Sequence, residues 1–79
     1  MEDVITLKYP GSSYRNVLWY LNALKGFDAR VEDGLIIYSR EESSIRVSNS
    51  EGEREGEIFL RDISPEILGD LEKLIGVRT

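Results

Sequence analysis

The stretch between residues 28 and 63 constrains the fold most, because it contains short β-type runs separated by turn residues. The runs are Asp28–Glu32, Leu35–Arg40, Ser44–Ser48 and Glu57–Ile63. Short runs rich in β-branched and aromatic residues and interrupted by turns are typical of antiparallel strands. Asp33-Gly34 favours a tight hairpin, since such turns need residues that tolerate positive φ. We therefore predict an antiparallel meander of four strands.

A strand and a helix are predicted before the meander. Val4–Tyr9 is a β-branched, alternating run that stops at the turn dipeptide Pro10-Gly11. Tyr14–Lys25 then has helical periodicity, and Ser12 or Ser13 offers an N-cap hydroxyl. The apolar stripe of this helix consists of Tyr14, Val17, Leu18, Leu21 and Leu24.

A second helix is predicted after the meander. Ser64 is its N-cap, Pro65 occupies the first helical position and Gly76 ends it. Gly69, inside this helix, either permits close approach of another element or costs about 1 kcal/mol of helix propensity. The element order β-α-β-β-β-β-α predicts a single α+β domain over residues 1–79. In this two-layer sandwich, both helices pack on one face of a mostly antiparallel sheet.

The absence of cysteine and histidine limits the chemistry available to this chain of 79 residues. It excludes disulfides, thiolate metal sites, a cysteine nucleophile and imidazole acid–base catalysis. A bound metal would need oxygen ligands, which favours calcium or magnesium. The glycines match no phosphate-binding motif, and so small a domain cannot enclose a deep cleft. We expect no enzymatic activity and no obligatory cofactor.

The formal net charge of −5 disfavours non-specific binding of the whole molecule to nucleic acid or an anionic membrane. The sequence contains no long apolar run, and its first residues are acidic where a signal peptide would be basic. These features predict a cytoplasmic protein that does not bind membranes. Arginine outnumbers lysine among many glutamates, a composition that leans toward thermophilic proteins.

Alternation along the meander predicts two very different sheet faces. The helix side is predicted to hold Ala29, Val31, Leu35, Ile37, Ile45, Val47, Ile58 and Leu60. The opposite side is predicted to hold Arg30, Glu32, Ile36, Tyr38, Arg40, Arg46, Glu57, Phe59 and Arg61, with Lys8 from the first strand. No helix remains to cover that opposite side. Its arginines and its two aromatics therefore form a candidate contact surface.

The arginine and aromatic side of the sheet has three possible roles. Tyr, Phe and Arg are enriched in interface cores, which favours a protein partner or a homodimer. Open sheets with aromatic and basic residues also bind single-stranded RNA, although no RNP-type signature is present. Alternatively, the arginines pair with Glu32 and Glu57 across strands and have no binding role.

Trp19 breaks the amphipathic pattern of the first helix. At 100° per residue it lies nearly opposite Leu21, beside Arg15 and Asn16. An exposed tryptophan indicates a second candidate contact surface. The alternative is that Trp19 and Tyr20 flank a wide buried face.

Acidic residues are predicted to gather at one end of the sheet. Chain direction brings the hairpin turn and the loop at residues 49–56 to that end, together with Glu32, Asp33, Glu51 and Glu53. Several oxygens in one place are what calcium requires, although the EF-hand spacing is absent. A solvated acidic rim is the alternative interpretation.

In element order, size and acidity the chain resembles small acidic α+β proteins of archaea. The segment that carries the resemblance is Leu24-Lys25-Gly26-Phe27-Asp28-Ala29-Arg30-Val31-Glu32-Asp33-Gly34. One such protein, from a methanogen, binds calcium. The resemblance concerns overall organisation and assigns no ligand residue. It implies the same fold and adds to the calcium hypothesis.

Overall fold

A computed structural model of the chain describes residues 4–48 and 55–76. The strands are β1 (Val4–Pro10), β2 (Asp28–Glu32), β3 (Leu35–Arg40), β4 (Ser43–Ser48) and β5 (Glu55–Arg61). The helices are α1 (Tyr14–Asn22), preceded by a 3-10 turn at Gly11–Ser13, and α2 (Pro65–Ile75). The predicted order β-α-β-β-β-β-α and the α+β class are confirmed.

The sheet is antiparallel throughout and has the strand order β1-β5-β4-β3-β2. Each strand of the meander pairs with the next one in sequence, and two-residue connections join β2 to β3 and β3 to β4. β1 pairs with β5, the last strand of the meander. β1 and β2 are therefore the two edges of the sheet.

Both helices pack on the same side of the sheet, as predicted. The core between the layers takes Val17 and Leu21 from α1 and Leu71 and Ile75 from α2. From the sheet it takes Leu7, Tyr9, Tyr38, Ile45, Val47, Ile58 and Leu60. Ala29 and Val31 lie on the helix side, as predicted, since they pair with Tyr38 and Ile36, but all five residues of β2 are exposed. Helix axes lie about 8–10 Å apart, so two helices cover only about four strands.

The ends of the two helices differ in how well the sequence predicts them. The predicted α2 cap is confirmed: Ser64 Oγ accepts a hydrogen bond from the Ile67 amide at 3.5 Å, and Gly76 ends the helix with φ 78°. At α1, Ser13 makes no capping hydrogen bond. Its backbone is already helical, with φ −92° and ψ −2°, because the 3-10 turn leads directly into α1. A capping serine instead needs an extended backbone.

Tyr9 fixes the alignment of β1 with β5 by lying over a glycine. Its partner across the strands is Gly56, where an added Cβ would overlap the Tyr9 ring. The Tyr9 hydroxyl donates to the carbonyl of Ser48 at 2.6 Å. The ring also stacks on that of Tyr14, with centroids 6.3 Å apart. One side chain therefore joins β1, β5, β4 and α1.

Gly56→Ala is expected to destabilise the protein by about 1–3 kcal/mol, the usual cost of overpacking a core. Tyr9 is only 1% exposed, so its ring has little room to move aside. Urea unfolding followed by circular dichroism measures the change.

Gly69→Ala is the matched control for Gly56→Ala. A Cβ at Gly69 meets no atom within 4 Å, so of the two predicted roles only the propensity cost remains. Alanine there should stabilise the protein by about 1 kcal/mol. Equal effects of the two substitutions would contradict the packing of Tyr9 on Gly56.

A hydrogen bond between side chains links the two helices. The hydroxyl of Tyr20 in α1 donates to Asp70 Oδ2 in α2 at 2.8 Å. Burial, followed by this hydrogen bond and the charge of Asp70, raises the pKa of Tyr20 to about 12. The folded protein therefore holds this proton more tightly than the unfolded chain.

Tyr20 should make the protein less stable as the pH rises from about 10 to about 12. Over that range the unfolded chain releases the Tyr20 proton and the native state retains it, so deprotonation favours unfolding. Urea unfolding at several pH values measures this loss, and tyrosinate absorbance follows the ionisation. In Tyr20→Phe the loss should be smaller. An unchanged pH profile in that variant would contradict the role of Tyr20.

Candidate functional site

The side chains of β3 that face the helices are those that were predicted to lie on the uncovered side of the sheet. Tyr38 pairs with Ala29 of β2 and Ile45 of β4, and it is only 2% exposed within the core. Its hydroxyl donates to Asn22 Oδ1 at 2.9 Å, and burial raises the pKa of Tyr38. The predicted place of Tyr38 on the uncovered face is therefore wrong.

The hairpin turn explains this reversal. Asp33 and Gly34 both have positive φ, 51° and 78°, as a two-residue turn of the primed type requires. Glu32 therefore pairs with Leu35, and directly paired residues share a face. Tyr38, three residues after Leu35, must then lie on the other face. The apolar run at residues 35–38 contains no alternation that would have revealed this.

Arg40 is displaced from the predicted surface for the same reason. Arg40 is two residues after Tyr38 in β3 and so lies on the same face of the sheet. Its guanidinium carbon lies 4.7 Å from the centre of the Phe27 ring. This is a cation–π contact on the helix side of the sheet. In exchange, Ile37 lies on the uncovered side, where it is only 6% exposed although it is outside the main core.

The uncovered side of the sheet, called here the open face, contains three rows of side chains. One row runs as Lys8, Glu57, Ser48, Leu35 and Glu32, so the predicted place of Leu35 on the helix side is wrong. The middle row runs across the strands as Thr6, Phe59, Arg46, Ile37 and Arg30. The next row runs as Val4, Arg61, Ser44, Ser39 and Asp28. Arg30, Arg46, Phe59 and Arg61 therefore share this face, as predicted. Ile37, Ser39 and Ser44 were missed as members of it, although the two-residue turn already implies the placement of Ile37 and Ser39.

Two adjoining depressions lie on the open face and share Ser44, Arg46 and Arg61. The first, of about 290 Å³, is completed by Val4, Phe59 and Leu60. The second, of about 480 Å³, is lined in addition by Arg30, by serines and by the carboxylates of Glu41, Glu42 and Asp62. The first depression therefore combines arginine with apolar surface, and the second is mixed in charge.

Pairing between arginine and glutamate accounts for part of the open face. Arg30 Nε lies 3.4 Å from Glu32 Oε2, and these side chains are 65% and 58% exposed. A surface pair of this kind contributes about 0–1 kcal/mol and is easily exchanged for another partner. Arg46, at the centre of the face, is also exposed.

Trp19 is 75% exposed on the outer surface of α1, in agreement with its position opposite Leu21. Tyr20 beside it is half-buried and reaches α2 instead. Trp19 and the open face therefore lie on opposite sides of the molecule, because the helices cover the other side of the sheet.

The acidic end is described only in part. The strand register places Glu32, Ser48 and Glu55 at the same end of the sheet. Glu51 and Glu53, predicted as calcium ligands with Glu32 and Asp33, lie outside the described residues. Within residues 4–48 and 55–76, no three acidic side chains form a group that would hold a metal ion. Calcium binding stays a prediction.

Comparisons with protein-family models, curated proteins and solved structures gave no match. The resemblance of residues 24–34 to archaeal proteins therefore stays a prediction. Among the described residues, no helix is both long and apolar enough to cross a membrane.

Tyr38→Ala is expected to destabilise the protein by about 3–5 kcal/mol, as for other buried aromatic side chains. Phe59→Ala, which removes a half-buried ring from the open face, should cost only about 1–2 kcal/mol. Urea unfolding compares the two variants. Equal costs would contradict the assignment of Tyr38 to the core and of Phe59 to the surface.

Proposed function

We propose that this chain is a protein-binding module that docks a partner segment on its open face. The segment presents one carboxylate beside an apolar side chain. The observation that carries this proposal is the first depression, of about 290 Å³, in which Arg46 and Arg61 lie next to Phe59 and Val4. Arginine binds carboxylates through two parallel hydrogen bonds, and aromatic and arginine residues are enriched in interface cores.

The charge distribution supports a single carboxylate rather than a polyanion. The chain as a whole carries a net charge of −5, while Arg30, Arg46 and Arg61 gather on one face. Carboxylates also line the second depression, so a run of phosphates crossing both depressions would meet repulsion there. One partner carboxylate placed between Arg46 and Arg61 avoids that repulsion.

Single-stranded RNA is less well supported than a protein segment. Successive bases usually stack on several aromatic rings above a continuous basic groove. With Tyr38 in the core, the three rows of the open face offer one aromatic ring for stacking, the half-buried ring of Phe59. RNA binding is therefore treated as an outcome of the experiment below.

Trp19 supports a second contact surface on the helical side. A large ring that is 75% exposed adds apolar contact area and a hydrogen-bond donor. Since the sequence contains one tryptophan, its fluorescence reports on that surface alone. A partner bound to the open face should leave this emission unchanged.

The test uses a peptide library in which each member carries one Asp or Glu among apolar and neutral residues. Binders are paired with versions carrying Asn or Gln at the acidic position. Backbone amide NMR should show shifts at Ser44, Arg46, Phe59 and Arg61. Arg46→Ala should weaken binding at least tenfold, because it removes a charged hydrogen bond worth about 1.5–3 kcal/mol.

Lys25→Ala is the matched control, since Lys25 is exposed in the loop between α1 and β2, away from the open face. It should leave peptide affinity unchanged. Equal binding of acidic and amide peptides, or an unchanged affinity in Arg46→Ala, would overturn the proposal. A mixed oligonucleotide that binds with salt-sensitive affinity while no peptide binds would assign the face to nucleic acid instead.

A further inference from the structure

The outer edge of β2 is one of the two edges of the sheet. β2 pairs with β3 on one side, and no strand among the described residues pairs with its other side. All five of its residues are exposed, and Val31 on the helix side is 76% exposed. An open edge of this kind is a template for pairing with another chain.

The hairpin turn determines which backbone groups of β2 point outward. Residues flanking a two-residue turn are hydrogen-bonded to each other, so Glu32 bonds to Leu35. Pairs of residues that exchange backbone hydrogen bonds alternate with pairs that do not along an antiparallel pair of strands. Ala29 and Val31 therefore make no backbone hydrogen bonds to β3, and their N–H and C=O groups point outward from the edge of the sheet.

We propose that β2 pairs with β2 of a second copy of this chain, antiparallel and about a two-fold axis at Val31. The two sheets then join into one sheet of ten strands. Val31 exchanges both backbone hydrogen bonds with the partner's Val31, and the two valine side chains cover one another on the helix side. This inference concerns the edge of β2, which shares only Arg30 with the second depression of the open face and no residue with the first.

Charge complementarity and the exposed valine together favour this register. Pairing centred on Ala29 would also join opposite charges, Arg30 with Asp28, but it would leave the two Val31 side chains, each 76% exposed, apart from one another. Pairing centred on Arg30 would place the two Arg30 side chains opposite each other and Asp28 opposite Glu32, which gives only like-charge pairs. Pairing centred on Val31 places Arg30 of each copy opposite Glu32 of the other. Opposite charges across strands stabilise pairing and like charges destabilise it. The exposed Arg30–Glu32 contact within one chain, at 3.4 Å, can be exchanged for contacts between chains.

The other edge of the sheet offers less to a second copy. β1 ends at Pro10, which has no N–H to donate. Its one charged residue is Lys8, so no register of β1 with itself joins opposite charges. The open backbone groups and the complementary charges therefore coincide at β2.

The first test is association measured by sedimentation equilibrium over a wide range of protein concentration. The unmodified chain should form dimers that dissociate on dilution, and hydrogen exchange should show Val31 amide protection that grows with concentration. Arg30→Glu and Glu32→Arg should each be monomeric. Their equimolar mixture should form a heterodimer, because every cross-strand charge pair is then complementary.

Val31→Pro tests the backbone contribution. It removes an outward N–H that β3 does not use, so the variant should be a folded monomer by circular dichroism. Val31→Thr, which retains the N–H and the shape, should still dimerise. Arg46→Ala should leave dimerisation unchanged, so this inference and the proposed function can fail separately. A monomer at every concentration, or a dimer insensitive to Val31→Pro and to the charge reversals, would overturn the inference.

Discussion

The packing of Tyr9 on Gly56 is the contact on which the rest of the structure depends. It joins the first strand to the last strand of the meander and so closes a sheet whose other pairings are local. The Tyr9 hydroxyl reaches the carbonyl of Ser48 on β4, and the ring stacks on Tyr14 at the start of α1. Contacts between residues far apart in sequence carry a large entropic cost of loop closure. One aromatic residue offsets that cost by ordering three strands and a helix together.

Local signals were sufficient to predict most of the elements. The serine and proline at the start of α2 and the glycine at its end act within a few residues, and the structure has each of them in the predicted role. Local sequence signals failed where the conformation of a residue is determined by a neighbouring segment. Ser13 is a good capping residue by type, but the 3-10 turn holds its backbone in a helical conformation. Strand order was left open, because alternation and turns do not show that β1 lies beside β5.

The candidate site was predicted in part, and the error can be traced to one strand. Arg30 and Arg46 lie on strands whose polar and apolar residues alternate, and Arg61 shares the parity of Glu57 on its strand, so their shared face followed from periodicity. The run at residues 35–38 is apolar throughout, and periodicity cannot orient it. The Asp33-Gly34 turn could have oriented it, since a two-residue turn pairs the residues on either side. Turn geometry is therefore a stronger guide to a strand's faces than composition when the strand is apolar on both sides.

The orientation of β3 also determines which surfaces remain for binding. With Tyr38 turned into the core, the open face is left with arginines above a small apolar floor that includes Ile37. Such a face suits a carboxylate with an apolar neighbour better than it suits a stack of bases. The same pairing places β2 beyond the area that two helices can cover, which leaves Val31 exposed and the outer backbone groups of β2 open. A five-stranded sheet with only two helices thus leaves one face uncovered and the edge strand β2 exposed, and these are the two surfaces on which binding is proposed.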